Sequence, residues 1–188
     1  MIYPQEFVCS KQPLVLLGLI LYFCIMKTDY KIPDQTRIGH VHLKVSDLQR
    51  SLDFYCGLLG FELMMQYGQD AAFISAGKYH HHIGLNVWYS KNAPPAPPKA
   101  PGLFHTAILY PDRRDLAVIL DRLQQAGYPL TGAADHGVSE ALYLDDPNKN
   151  GVELYWDRPH ELWPKKEDGS LDMYTARLDL ENLLAELE

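Results

Sequence analysis

The sequence predicts an α+β fold: two tandem βαβββ modules whose strands make one open, mostly antiparallel, eight-stranded barrel-like sheet. Three observations predict it. Residues 79–89, YHHHIGLNVWY, alternate with a period of two, so that Ile83, Leu85, Val87 and Tyr89 point one way and His82, Gly84, Asn86 and Trp88 the other. The order strand, helix, three strands reads twice, once on each side of a stretch with five prolines between Ser90 and Gly102. His40 precedes Asp47 by seven residues, and His105 precedes Asp112 by the same seven.

The elements divide the chain into a leader (1–37), a first module (38–90), a semi-rigid proline linker (91–102), a second module (103–157) and a tail (158–188). Residues 38–45 alternate, with Val41, Leu43 and Val45 on one face and His40, His42 and Lys44 on the other. Ser46 with Gln49 reads as a capping box, opening a helix striped by Leu48, Leu52, Tyr55 and Leu59 and stopped by Gly60. Strands at 61–67 and 71–76 follow, turning at Gly68-Gln69-Asp70. In the second module, His105, Ala107 and Leu109 share one side of the first strand. Asp112 caps a helix striped by Leu116, Ile119, Leu120 and Leu123, which Gly127 ends. A weak strand (130–136), a better one (141–145) and a turn through Pro147 and Gly151 lead to a last strand at 152–156. The tail holds a short amphipathic helix through Leu178, Leu180, Leu183 and Leu184, a cover or a contact in a homo-oligomer.

Composition excludes some classes. With 47% hydrophobic and 22% charged residues the chain is an ordinary globular one. Its formal net charge of -7 argues against a nucleic-acid backbone or an anionic membrane as main partner. Three cysteines, Cys9, Cys24 and Cys56, form no disulfide framework and no zinc motif, which fits a reduced, cytoplasmic setting.

The polar side of 79–89 carries an imidazole, a bare backbone position, an amide and an indole, which suit a cavity wall better than a wet surface. Laying one module on the other pairs Ile83-Gly84-Leu85 with Val152-Glu153-Leu154. Four inward slots then meet in one trough: His40, His105, Gly84 and Glu153. Two imidazoles and a carboxylate on three strands make the two-His, one-carboxylate face that leaves positions open on a non-haem Fe(II), or on Mn(II). His42 shares the face and is the alternative ligand; the repeat register favours His40. Glycine at 84 leaves room for a substrate to chelate. His82 stands on the same face as an acid or base, or else belongs to a surface cluster with His80 and His81. Tyr143 either hydrogen-bonds a bound phenolate or is a strand aromatic. His136, before Gly137, is a gate or a surface residue.

Several of these segments carry a resemblance. Gly39-His40, the helix ending GLLGFEL, HHHIGLNVW, the proline linker, Phe104-His105, DHGVSEALYL and DDPNKNGVELYWDRP resemble the vicinal oxygen chelate superfamily. Within it, residues 38–163 look most like catechol 2,3-dioxygenase-like (type I extradiol) proteins. The resemblance implies His40, His105 and Glu153 as Fe(II) ligands, His82 as the acid/base histidine, Tyr143 as the catecholate-binding tyrosine and His136 as a further pocket histidine. It also implies an aromatic diol and O2 as substrates, with the ring opening beside the diol. Such dioxygenases usually carry two module pairs, and this chain has one. Two other activities are compatible with the superfamily. A glyoxalase-type lyase or isomerase would carry a carboxylate where Gly84 stands, and a metal-free sequestering module would have no need of His40, His105 and Glu153.

Residues 14–26 are an unbroken apolar run; as a helix they would extend about 20 Å, short of the roughly 30 Å of a bilayer's hydrocarbon core. No small-x-small cleavage site follows. Met26 is the expected true start. A chain beginning at Met26 is therefore expected to match the full chain in circular dichroism and metal content, and a loss of either would give the apolar run a role.

Overall fold

The computed structural model describes residues 30–188, together with two short strands, β1 (Val15–Leu16) and β2 (Leu19–Ile20), which pair antiparallel. The expectations for Met26, Cys9 and Cys24 fall outside the described residues. The chain divides into Met1–Ile38 and Gly39–Glu188. In the first unit Thr36 N–H donates to the Pro33 carbonyl.

The second unit holds both modules. The first runs β3 (Val41–Lys44), α1 (Leu48–Leu52), β4 (Glu62–Tyr67), β5 (Ala71–Ser75) and β6 (Ile83–Asn86), and its sheet has the order β3-β6-β5-β4. The second runs β7 (His105–Leu109), α2 (Arg113–Gln125), β8 (Gly132–Asp135), β9 (Ser139–Asp145) and β10 (Gly151–Asp157). A further strand from the tail, β11 (Ala176–Arg177), extends that sheet to β11-β8-β9-β10-β7. In each module the first and last strands pair in parallel and the other pairs are antiparallel.

Both helices open on an aspartate at the predicted spacing. Asp47 accepts from Arg50 N–H at 3.0 Å and Asp112 from Asp115 N–H at 2.8 Å. The expected capping box at Ser46 does not form, because the neighbouring carboxylate is the better acceptor for a helix N-terminus. Ser46 instead donates its N–H and its hydroxyl to Asn148 Oδ1, each at 2.8 Å. The helical turns widen to a π-helix over Asp53–Leu58, which seats Phe54 and Tyr55 in the core, and Gly60 ends them at φ 86°. The end of β6 differs from its pattern too. Beyond Asn86 the chain turns, with Ser90 N–H and Lys91 N–H both donating to the Val87 carbonyl, and Tyr89 is exposed rather than inward.

The strands do not join into one eight-stranded sheet within the chain; the described strands of this unit form a sheet of four and a sheet of five. The reason is how the modules meet. Leu48, Leu52, Phe54 and Tyr55 of the first helical segment share one continuous core with Leu116, Leu120 and Leu123 of α2. The Phe54 and Tyr128 rings lie 5.2 Å apart, and the Arg122 guanidinium donates to the Gly57 and Leu58 carbonyls. The modules pack helix side to helix side. The edges of β3 and β7 are consequently left without a ladder partner among the described residues.

The tail helix α3 (Leu180–Leu184) buries Leu183 against the core and covers the second module. Arg113 ties it down, donating to Asn182 Oδ1 and Glu186 Oε1. Arg113 and Arg158 also converge on the buried Glu140, at 2.8 and 2.7 Å. Arg158 holds Asp135 in a second fork at 2.6 and 3.0 Å, and its guanidinium lowers the Asp135 carboxyl below its ordinary range. A depressed carboxylate stabilises the fold above its unfolded pKa, and that contribution is lost as pH falls through the folded value. Arg158→Met is expected to cost about 1–3 kcal/mol at neutral pH and to flatten the acid limb of stability. Urea denaturation across pH 2 to 7 checks both.

Candidate active site

On the second sheet, four of the predicted residues come together. Glu153 on β10 lies opposite Tyr143 on β9 and opposite Ala107 on β7, while His105 lies opposite Gly151. This register turns His105, Glu153 and Tyr143 toward the outer face, away from the Val152 and Leu154 side that packs on the core. A Cβ at Gly151 would overlap the Phe104 carbonyl oxygen, so glycine there lets β7 approach closely enough to present His105. His136, in the turn before β9, reaches the same place.

Hydrogen bonds link His136, Tyr143 and Glu153, and His105 stands in close contact with Glu153. His136 Nε2 lies 2.7 Å from the Tyr143 hydroxyl, Tyr143 donates to Glu153 Oε1 at 2.9 Å, and Glu153 Oε2 lies 2.9 Å from His105 Nε2. On its far side His136 Nδ1 meets the Tyr174 carbonyl at 3.2 Å. Burial and then Glu153, by hydrogen bond and by charge, push the Tyr143 phenol up to about 12, so it stays protonated at neutral pH. Its one proton goes to Glu153 Oε1, and the role of His136 Nε2 follows from the tautomer of that ring.

The other predicted residues gather on the outer face of the first sheet. His42 lies opposite Gly84, and Val41 N–H donates to the His82 carbonyl at 3.0 Å. His42 with Gly84 therefore occupies the ladder position of Ala107 with Glu153, and His40 that of His105. The His40 ring packs 4.4 Å from His81, and His81 packs 4.5 Å from His80. Burial first, then the neighbouring imidazoles, lower the His42 and His81 rings below the usual histidine range and favour the neutral, ligating form. His82 Nδ1 sits 2.9 Å from Ser75 Oγ and accepts from Ala76 N–H at 3.3 Å. In the neutral ring that leaves its proton on Nε2.

Gly84 does not leave an open slot. A Cβ there would stand 2.9 Å from the His42 ring, so the imidazole itself fills the space expected for a chelating substrate. The signal is present in the sequence, since the alternation puts both His42 and Gly84 on the cavity side. Only the strand register shows that they are direct partners.

The donor set can be tested against a metal ion. With bonds near 2.1 Å at right angles, two ligand atoms stand about 3 Å apart, which the 2.9 Å between His105 Nε2 and Glu153 Oε2 matches. The buried His105 Nδ1 has no hydrogen-bond partner among the described residues. These two residues suit adjacent coordination positions. Three do not converge: among the described residues no group of three His, Cys, Asp or Glu side chains is placed to hold a metal. His40 stands with the imidazoles of the other sheet.

Residues 37–154 match the sequence profile of the Glyoxalase/Bleomycin resistance protein/Dioxygenase superfamily. The chain belongs to this superfamily. It is 40% identical over 156 residues to a catechol-2,3-dioxygenase of Bacillus subtilis (strain 168), a match covering 82% of this chain and 53% of that protein. It is 31% identical over 121 residues to biphenyl-2,3-diol 1,2-dioxygenase 2 of Rhodococcus globerulus, covering 64% of this chain and 63% of that one. The chain thus spans about half the length of the first relative and less than two thirds of the second. Among solved structures, a glyoxalase/dioxygenase from Nostoc punctiforme superposes with a TM-score of 0.58 at 15% identity, over 71% of this chain and 100% of that one. A glyoxalase/bleomycin resistance protein/dioxygenase from Alicyclobacillus acidocaldarius gives 0.52 at 19%, over 65% and 92%. At these identities the structures establish the superfamily fold alone.

Within that fold, sequence reasoning missed the partners that orient the site: Ser75 at His82, Tyr174 behind His136, and Gly151 beneath His105. No spacing rule points to them, because each acts through the register of a neighbouring strand or the path of the tail. The cross-strand pair is directly testable. Tyr143→Phe and Glu153→Gln are expected to be non-additive, with a coupling of about 1 kcal/mol in a urea-denaturation double-mutant cycle. Additive effects would mean that the Tyr143–Glu153 hydrogen bond does not form in solution.

Proposed function

We propose that the chain is a metal-dependent extradiol dioxygenase that opens the ring of a catechol-type diol with O2. The observation that carries this reading is the run His136–Tyr143–Glu153, hydrogen-bonded throughout and ending at the 2.9 Å contact of Glu153 Oε2 with His105 Nε2. It sets a neutral phenol beside two side chains spaced as metal ligands. The dioxygenase names of the Bacillus and Rhodococcus relatives support the same reaction class.

In this reading His105 Nε2 and Glu153 Oε2 would hold Fe(II), or Mn(II); His40, the third ligand the resemblance implies, stands among the imidazoles of the first sheet. The bound ion supplies Lewis-acid and electron-transfer chemistry between the diol and O2. The protein's own groups handle position and protons. Tyr143 keeps its proton at neutral pH, and the hydrogen bond it gives Glu153 Oε1 would turn to a diolate oxygen when the diol binds. His82 presents N–H at Nε2, since Nδ1 is engaged by Ser75 and Ala76, and so begins as a proton donor rather than as a base. The exposed Trp88 ring packs 5.7 Å from His42 and offers an aromatic wall for a planar substrate.

His105→Ala and Glu153→Ala are each expected to abolish stoichiometric Fe(II) or Mn(II) in protein purified without oxygen. His82→Ala should keep its metal and lose roughly 10²–10⁴-fold in turnover, read from the yellow ring-fission products of a catechol panel. Full metal content in either ligand variant would sink the assignment.

A further inference from the structure

The tail does more than cover the second module. It leaves β10 with Arg158 N–H donating to the Val138 carbonyl at 2.8 Å, and it returns so that Tyr174 N–H donates to the His136 carbonyl at 3.3 Å. Between the two, Asp172 N–H donates to the Pro164 carbonyl at 2.9 Å and ties the outgoing stretch to the returning one. The return then enters β11, where Ala176 lies opposite Asp135. The same antiparallel register, carried one residue further, sets Thr175 opposite His136.

Gly137 leaves room for this segment. Its φ is 77°, and a Cβ there would stand 2.6 Å from the Tyr174 ring and 2.8 Å from the Pro164 ring. Glycine meets both demands, the left-handed backbone and the close approach of two side chains. With the tail seated, His136 Nδ1 has two partners, the Tyr174 carbonyl and Thr175 Oγ1, each at 3.2 Å. Its Nε2 points the other way, to the Tyr143 hydroxyl at 2.7 Å.

The place of the ring proton follows from these partners. A backbone carbonyl has only lone pairs to offer, so a hydrogen bond to the Tyr174 oxygen requires the proton on Nδ1. The Thr175 hydroxyl accepts as readily as it donates, and so agrees with that proton. A neutral imidazole carries one proton, which leaves Nε2 with its lone pair toward the phenol.

We propose that the tail is a working part of the site: the Tyr174 carbonyl and the Thr175 hydroxyl are positioning groups that keep the proton of neutral His136 on Nδ1 and present Nε2 to Tyr143 as an acceptor. The hydroxyl of Tyr143 donates to Glu153 Oε1, and His136 Nε2 is then a second acceptor within its reach. His82 is held the other way, with its proton on Nε2, by Ser75 and Ala76. The two pocket histidines are thus set in opposite tautomers, one by its own sheet and the other by the tail. The effect on turnover rests on the dioxygenase reading above; the tautomer is tested without it.

Histidine-selective 15N labelling of the full chain reads the tautomer, because each ring nitrogen shifts according to whether it carries the proton. The His136 resonances are those absent from His136→Gln. At about pH 8, above the ordinary histidine range, the parent is expected to show Nδ1 protonated and Nε2 bare. Tyr174→Phe keeps the ring that packs on Gly137 and should keep the tautomer. Tyr174→Ala removes that ring, loosens the carbonyl and should bring in the Nε2–H form. Thr175→Val should shift the ring in the same direction, and Thr175→Ser should not. Fe(II) or Mn(II) content should be unchanged in all of these variants. On the catechol panel Tyr174→Ala should lose roughly tenfold in kcat, the order of one misdirected hydrogen bond, and Tyr174→Phe should match the parent.

A parent with His136 protonated on Nε2, or on both nitrogens at that pH, overturns the proposal. So does a Tyr174→Ala or Thr175→Val protein whose His136 keeps Nδ1–H throughout. Tautomers that shift as expected in a chain that opens no catechol ring, parent included, support the role of the tail and count against the dioxygenase reading instead.

Discussion

The packing of the two modules through their helix sides constrains everything else in this protein. A βαβββ module buries one face of its sheet under its own helix, and the helix still has an uncovered flank. Here that flank is covered by the other module. Tyr55 reaches across to Asp146 at 3.1 Å, Asn148 returns a hydrogen bond to Ser51 at 3.1 Å, and Arg122 caps the carbonyl end of the first helical segment. These are polar contacts around an apolar centre, with Asp146 itself buried and multiply hydrogen-bonded. Leaving any one of those groups unpaired costs more than an average hydrogen bond contributes, so the arrangement resists re-docking. Its consequence is geometric. In each module the candidate site residues stand on the side of the sheet away from the shared core.

The second sheet shows how much chemistry a strand register sets. Placing Tyr143 directly across from Glu153 brings a phenol and a carboxylate into contact with no loop involved. One pair further along, Gly151 removes the side chain that would hold His105 away. The first sheet uses the same two ladder positions differently. His42 occupies the place of Ala107 and lies on Gly84, which occupies the place of Glu153. A carboxylate at 84 and an imidazole at 42 cannot both point into that space. The two modules therefore share a backbone plan and have divided its ligating positions between them.

Much of this was legible in the sequence because it depends on local rules. The period-two alternation of 38–45 and 103–110 places inward and outward residues correctly, as Leu43 and Val45 against His42 and Lys44 show. The seven-residue spacing from histidine to capping aspartate holds in both modules. Local rules also explain the misses. Ser46 satisfies a capping-box pattern, yet Asp47 beside it carries a full charge and takes the cap. Tyr89 continues the alternation of 83–87 on paper, but the strand ends where Val87 accepts two turn hydrogen bonds. The joining of eight strands into one sheet depends on which faces of two modules meet, and side-chain period carries no information on that. The strand β11 and the seat of His136 against Tyr174 depend on the path of the tail, which has no periodic signal.

The division of ligating positions and the outward turn of both faces bear on each other. If both modules carried the same donors, each outer face would be an equal candidate, and separating them would leave two partial sites of one kind. They do not. Histidines gather on the first sheet, while the second carries Glu153, Tyr143 and His105 together.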